Sequence, residues 1–72
     1  MDTFGMLKEL LSKKTNETIE ASATMEDLRI DSLDLVEVLL TVEEQLSIVF
    51  EDDELLQLKT VQNVVDLVNS KI

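Results

Sequence analysis

The sequence lacks the residue types on which protein chemistry most often depends. Its 72 residues include no cysteine and no histidine. Without cysteine the chain forms no disulfide and no thiolate metal site, and without histidine it lacks the commonest acid/base group and zinc ligand. No hydroxyl side chain then has an evident base to activate it as a nucleophile. We therefore expect a protein that is not an enzyme and that holds no metal.

Proline is also absent, and Gly5 is the only glycine, so the residues that most often interrupt helices are nearly missing. No apolar run approaches the roughly 18 residues that a membrane span requires. The N-terminus shows no basic-then-apolar signal pattern. These absences predict a cytoplasmic protein without a membrane span. We also expect a monomer.

Positive charge is scarce, because six Lys and Arg stand against 16 Asp and Glu, giving a net charge of -10 at pH 7. The segment from Ile30 to Leu58 holds nine of the acids and no base, whereas the remainder holds seven acids and all six bases. Nucleic acid is excluded as a partner, because its phosphates would repel this surface. A solvated acidic face is the simpler explanation, but concentration in one segment favours docking to basic proteins.

Hydrophobic spacing predicts an all-α fold, a small four-helix bundle with a long first loop and a short third helix. We expect residues 1–72 to form this bundle as a single domain. The predicted helices are Asp2–Lys14, Ser32–Leu46, the segment DDELLQL at 52–58, and a last helix from Val61 to Ile72 that Thr60 caps. Within the long polar loop, Ile19, Met25 and Leu28 are the apolar anchors expected to hold it to the core.

The second predicted helix carries two apolar stripes on opposite sides, at about 100° per residue. The stripe predicted to face the core contains Leu35, Val38, Leu39, Val42 and Leu46. The second stripe, which has Glu37, Glu43 and Glu44 beside it, contains Leu33, Val36 and Leu40. Since a small bundle can hardly bury both sides, we predict that the second stripe is a protein interface with an acidic rim. The alternative is that Leu33 or Leu40 packs under the long loop or the third helix.

Ser32 lies at the predicted start of this helix, between Asp31 and Leu33. Asp31 is a suitable N-cap, and the charge of Asp34 complements the positive end of the helix dipole. This arrangement places the Ser32 hydroxyl at the first helical position, pointing outward. The alternative is that Ser32 only helps to cap the helix.

The segment DSLDLVE at 31–37 resembles the attachment motif of acyl carrier proteins, in which the serine carries 4'-phosphopantetheine. The resemblance extends over essentially the whole chain, because the length, the acidity, the order of helices and the final KTVQNVVDLV are also similar. It implies one acyl-carrier domain that holds acyl intermediates as thioesters on the prosthetic group. Such a carrier delivers them between enzymes of fatty-acid or related polyketide biosynthesis.

The same resemblance implies roles for individual residues. Ser32 would be the phosphopantetheine attachment site, and Asp31 would lie where transferases position metal and donor. The residues implied to contact partner enzymes are Leu33, Val36, Glu37, Leu40 and Glu44. The acyl chain would enter between the second and third helices, among Leu39, Val42, Leu55 and Leu58. The implied partners are a phosphopantetheinyl transferase and acyl-transferring and acyl-modifying synthase enzymes with basic docking surfaces.

Two positions depart from the pattern of the family. Arg29 stands where a glycine is frequent, and we expect its charge to disfavour basic partner surfaces. Glu51 stands where a proline commonly begins the third helix. A specialised carrier, such as a D-alanyl or secondary-metabolite carrier, is therefore an alternative, as is an unmodified acidic interaction module. A calcium-binding hand is excluded, because counting from Asp31 places Val36 where the loop needs glycine.

Overall fold

The computed structural model describes residues 2–72, so that Met1 of the predicted domain lies outside the described range. Within that range the chain forms four helices: α1 Thr3–Ser12, α2 Ser32–Leu46, α3 Asp52–Leu55 and α4 Val61–Lys71. The predicted all-α bundle is confirmed, and α2 has the bounds that its sequence indicates. In this part of the chain, no helix has the length and apolar character needed to cross a membrane.

Helices α1 and α3 are shorter than their sequences predict. After Ser12 the chain continues as a turn, in which the Lys14 amide donates to the Leu11 carbonyl at 2.9 Å. After Leu55 the chain likewise tightens, because the Leu58 amide donates to the Leu55 carbonyl, three residues back. Such three-residue turns commonly end helices. The prediction that the third helix reaches Leu58 was therefore wrong by three residues.

The core forms where α1, α2 and α4 pack together. Its buried helical side chains are Leu7, Leu11, Val38, Leu39, Val42, Val61, Val64, Val65 and Val68. Leu35 and Leu46 are partly buried against this cluster. The stripe of α2 that was predicted to face the core does so, because Val38, Leu39 and Val42 are buried in this cluster.

The long loop is fixed against the start of α4. Its anchors behave as predicted, because Ile19 and Leu28 are buried and Met25 is partly buried. Its backbone also pairs with α4: the Val61 amide donates to the Ala23 carbonyl at 3.0 Å, and the Gln62 amide donates to Ala21 at 2.9 Å. The first amides of a helix have no partners within the helix, so the loop satisfies two of them. Thr60 caps α4 as predicted, since its Oγ1 accepts from the Asn63 amide at 3.1 Å.

Candidate functional site

Ser32 is the first residue of α2, and its side chain is exposed. The cap of the helix is Asp31, whose Oδ1 accepts a hydrogen bond from the Asp34 amide at 2.8 Å. Asp31 has extended backbone, as N-cap residues usually do. The helix end is therefore capped without the Ser32 hydroxyl, and Ser32 remains exposed directly after Asp31 in the chain.

The loop approaches Ser32 through an unusual backbone conformation at Arg29. This residue has a φ of 57°, in the left-handed region, and its side chain lies 3.8 Å from Glu17. Leu28 and Ile30 on either side are buried, so the turn at Arg29 directs both apolar neighbours into the core. Glycine would adopt this conformation without steric cost, whereas Arg29 adopts it with a Cβ atom. The hypothesis that the Arg29 charge tunes partner choice stays a prediction.

The second apolar stripe of α2 lies on the surface. Leu33 is 75%, Val36 44% and Leu40 55% exposed, so neither leucine is buried under the loop or α3, although Val36 and Leu40 border a cavity toward α3. Glu37 and Glu44 are also exposed. The structure thus brings the five residues predicted to contact partners onto the outer side of α2. Apolar side chains with charged neighbours are typical of a transient protein interface.

Lys14 also lies at this surface, although no pattern in the sequence indicates it. Its Nζ forms a hydrogen-bonded ion pair with Glu37 and lies 4.0 Å from Asp34 Oδ1. The hydrogen bond to Glu37 is the main cause that raises the pKa of Lys14 above its usual 10.5. Because 23 positions separate Lys14 from Glu37 in the chain, no local spacing could predict this contact.

A cavity of about 200 Å³ lies between α2 and α3. Its lining includes Val36, Leu39, Leu40, Glu43, Phe50, Asp52 and Leu55. Two of the four residues predicted for an acyl pocket, Leu39 and Leu55, meet here. Val42 is instead fully buried in the core, and Leu58 lines hollows toward α4 and the long loop.

The sequence did not predict five of the seven residues that line this cavity, which are Val36, Leu40, Glu43, Phe50 and Asp52. Phe50 is buried, and its amide donates to Glu43 Oε2 at 2.8 Å. This bond ties the segment after α2 back to the helix. Phe50 could have been found from the sequence, because it is an aromatic residue just before the acidic third helix. No sequence pattern indicates that the Glu43 side chain turns toward the Phe50 amide.

The chemistry available at Ser32 is limited to that of an exposed alcohol. In the part of the chain that the structure describes, no three His, Cys, Asp or Glu side chains are grouped to hold a metal ion. An unhindered hydroxyl that serves no structural bond suits the formation of a phosphate ester by another enzyme. The residues present therefore fit a phosphopantetheine group, which would be held by Ser32 Oγ.

Comparison with known proteins agrees with this geometry. Residues 5–68 match the family model described as "Phosphopantetheine attachment site". An acyl carrier protein of Helicobacter hepaticus is 45% identical over 69 residues, which cover 90% of this chain and 91% of the relative. This chain belongs to the acyl carrier protein family. Like its family, the carrier bears covalently attached phosphopantetheine.

Two further relatives support the membership. An acyl carrier protein of Coprothermobacter proteolyticus is 39% identical over 68 residues, covering 94% of this chain and 83% of the relative. The crystal structure of an acyl carrier protein from Thermotoga maritima is similar to this carrier with a TM-score of 0.82. That structure is 26% identical, and the match covers 93% of this carrier and 82% of that chain.

Proposed function

We propose that this carrier holds acyl intermediates as thioesters on a 4'-phosphopantetheine arm attached to Ser32. It delivers them between enzymes of fatty-acid biosynthesis. The observation that carries the proposal is the exposed Ser32 at the start of α2, where Asp31 supplies the cap and leaves the serine hydroxyl available. When bound, the arm supplies the thiol on which the acyl group travels.

Attachment requires a second protein, a phosphopantetheinyl transferase. Ser32 Oγ attacks the phosphorus of coenzyme A that bears pantetheine, an O–P bond forms, and adenosine 3',5'-bisphosphate leaves with the bonding electrons. The hydroxyl proton passes to a base of the transferase, since the carrier has no histidine to accept it. We propose that Asp31, adjacent to the hydroxyl, helps the transferase to position its metal ion and donor.

The outer side of α2 is the proposed docking face for partner enzymes. It combines the apolar Leu33, Val36 and Leu40 with the acids Glu37 and Glu44, all of them exposed. A partner with a basic surface around an apolar contact would complement it. Electrostatic steering makes such contacts fast to form, and a small apolar centre keeps them weak enough to exchange.

The cavity between α2 and α3 is the proposed shelter for the acyl chain. Leu39 and Leu55 contribute apolar wall, and Phe50 lies beside them. Val42 and Leu58 do not line this cavity, so the proposal is centred on the first two residues. We further propose that residues 1–72 act as one monomeric carrier domain in the cytoplasm and perform no catalysis of their own.

Acyl loading tests the proposed function. The purified carrier is treated with a phosphopantetheinyl transferase and coenzyme A, then with ATP, a fatty acid and a ligase that acylates carrier proteins. We expect the intact mass to rise by one acyl group, and hydroxylamine to remove that group as it cleaves a thioester. The matched control omits the transferase and should gain no acyl mass.

Two results would contradict this function. An acyl group that is gained without transferase treatment would mean that the arm is not the attachment point. A fully modified carrier that rejects fatty acids but accepts D-alanine from a D-alanine ligase would identify a specialised carrier instead.

A further inference from the structure

Lys14 stands out because it forms an ion pair, within the same molecule, with Glu37 of the proposed docking face. It follows α1, in the turn that leads into the long loop, yet its ammonium group reaches α2. There it pairs with Glu37 and lies 4.0 Å from Asp34. One of the two exposed acids of the docking face, Glu37, is thus already paired.

The position of Lys14 is held by packing as well as by charge. A crevice of about 220 Å³ between α1 and α2 is lined by Leu10, Lys13, Lys14, Glu37, Val38 and Thr41. The Lys14 side chain is only 27% exposed, whereas that of Glu37 is 63% exposed. A lysine that lies along apolar side chains keeps its ammonium in one place more than a free surface lysine does. Glu37 therefore meets a fixed cation on one side and solvent on the other.

We propose that Lys14 sets partner specificity by competing with basic side chains of partner enzymes for Glu37. This inference rests on the proposed function, because it concerns the same docking face. A partner gains the Glu37 contact only by sharing or displacing Lys14, so each basic partner docks more weakly than the exposed acids alone would allow. The binding of partners that rely on Glu37 is weakened most, and the binding of partners that dock through Leu33 and Glu44 is weakened least.

Lys13 offers a matched control for this competition. It is the neighbouring residue, it is exposed, and its replacement by glutamine removes the same charge. The ion pair to Glu37 is made by Lys14. A difference between Lys14→Gln and Lys13→Gln therefore reports the pairing and not the change in net charge. Lys14→Met serves as a second variant that keeps the aliphatic part of the side chain in the crevice.

The experiment measures transfer of phosphopantetheine from coenzyme A by a phosphopantetheinyl transferase, with each carrier as the varied substrate. We expect KM for Lys14→Gln and Lys14→Met to fall about two- to five-fold below that for Lys13→Gln, as one surface ion pair allows. The value of kcat should not change, because Lys14 contacts no reacting atom. When Glu37 is also replaced by glutamine, the Lys14 and Lys13 variants should have equal KM values, because the ion pair that distinguishes the two lysines is then absent.

The possible results separate the inference from the proposed function. A wild-type carrier that takes no phosphopantetheine would contradict the proposed function itself. If the wild type is modified, equal KM values for the Lys13 and Lys14 variants would overturn the role of Lys14. A fall in KM that persists in the Glu37→Gln background would also overturn it, since the effect would not then act through Glu37.

Discussion

The backbone at Arg29 illustrates how a single residue bears a conformational cost close to the site. Its φ of 57° brings Cβ close to the following carbonyl oxygen, at a cost of roughly 1–2 kcal/mol for residues other than glycine. The conformation is compatible with the burial of both Leu28 and Ile30, whose packing in the core offsets this cost. The burial of the neighbours thus stabilises a turn that Arg29 itself disfavours.

We predict that Arg29→Gly raises the free energy of unfolding by up to about 1 kcal/mol, because glycine removes the steric cost at this φ. Arg29→Ala is the matched control, since it loses the same charge and the same contact with Glu17 but keeps Cβ. Urea denaturation of the three proteins measures the effect. An equal gain in both variants would show that the charge of Arg29, and not its backbone, is responsible.

Two valines of α2 test which side of the helix faces the core and which side faces solvent. Val42 is 0% exposed, so Val42→Asp places an unpaired charge in a thin core and should largely unfold a domain whose stability is only about 5 kcal/mol or a little more. Val36→Asp alters the exposed stripe and should cost less than about 1 kcal/mol. It should nevertheless slow acyl transfer to partner enzymes, because it removes an apolar contact at the centre of the docking face.

Thermal melts followed by circular dichroism, together with transfer rates, measure both valine variants. If Val36→Asp lowers the melting temperature as much as Val42→Asp does, the outer stripe supports the fold. The docking face would then have to lie elsewhere.

Among the elements, α3 has the fewest means of holding its place. It is one turn long and has no buried residue. Its link to α4 is the ion pair between Glu54 Oε1 and Lys71 Nζ, which are 2.9 Å apart. The same carboxylate oxygen accepts from the Glu51 amide at 2.8 Å. Since α3 forms one wall of the cavity beside Leu39, this carboxylate helps to set the position of that wall.

The ion pair predicts a pH dependence. The hydrogen bond from Lys71 holds the pKa of Glu54 below its usual 4.5, and the bond from the Glu51 amide acts in the same direction. Because the pKa of Glu54 is lower in the folded than in the unfolded protein, its charge stabilises the fold at pH values above the pKa of the unfolded state. This stabilisation is lost as the pH falls through the pKa of the folded state. At neutral pH, Glu54→Gln should therefore melt below Glu44→Gln, an exposed control that removes the same charge. The difference should close as pH falls below 4.5.

Melting temperatures of the two glutamine variants across this range provide the measurement. A difference that stays constant with pH would mean that Glu54 acts through packing and not through its charge. The side chains of Glu54 and Lys71 are 28% and 21% exposed, so solvent still reaches the pair and the size of the effect should decrease with added salt.

At the scale of the whole molecule, charge is the dominant feature. The carrier has a net charge of -10, and the segment from Ile30 to Leu58 contains nine acids and no base. Repulsion among these acids opposes the compact state, and dissolved ions reduce it. We predict that the melting temperature rises with sodium chloride and, at much lower concentration, with magnesium chloride. A midpoint that is unchanged in both salts would show that the acids are too far apart for their repulsion to matter.

The sequence predicted α2 and its surroundings well because local chemistry determines them. Asp31 caps the helix, and spacing alone separates Val36 from Val42. Contacts between distant parts of the chain were not predictable. Lys14 reaches Glu37 only because the turn after Ser12 directs it toward α2. The family resemblance implied that Leu58 lines the acyl pocket, but Leu58 lines hollows toward α4 and the long loop, beyond the point where the chain tightens after Leu55.

Attachment of the prosthetic group to Ser32 is the central claim, and intact mass spectrometry tests it most directly. Wild-type protein, Ser32→Ala and Ser22→Ala are each incubated with a phosphopantetheinyl transferase and coenzyme A. Ser22 is a suitable control because it is an exposed serine of the long loop, remote in sequence from the start of α2. We predict that wild type and Ser22→Ala gain the mass of one phosphopantetheine group and that Ser32→Ala gains none. Modification of Ser32→Ala, or loss of modification in Ser22→Ala alone, would contradict the account.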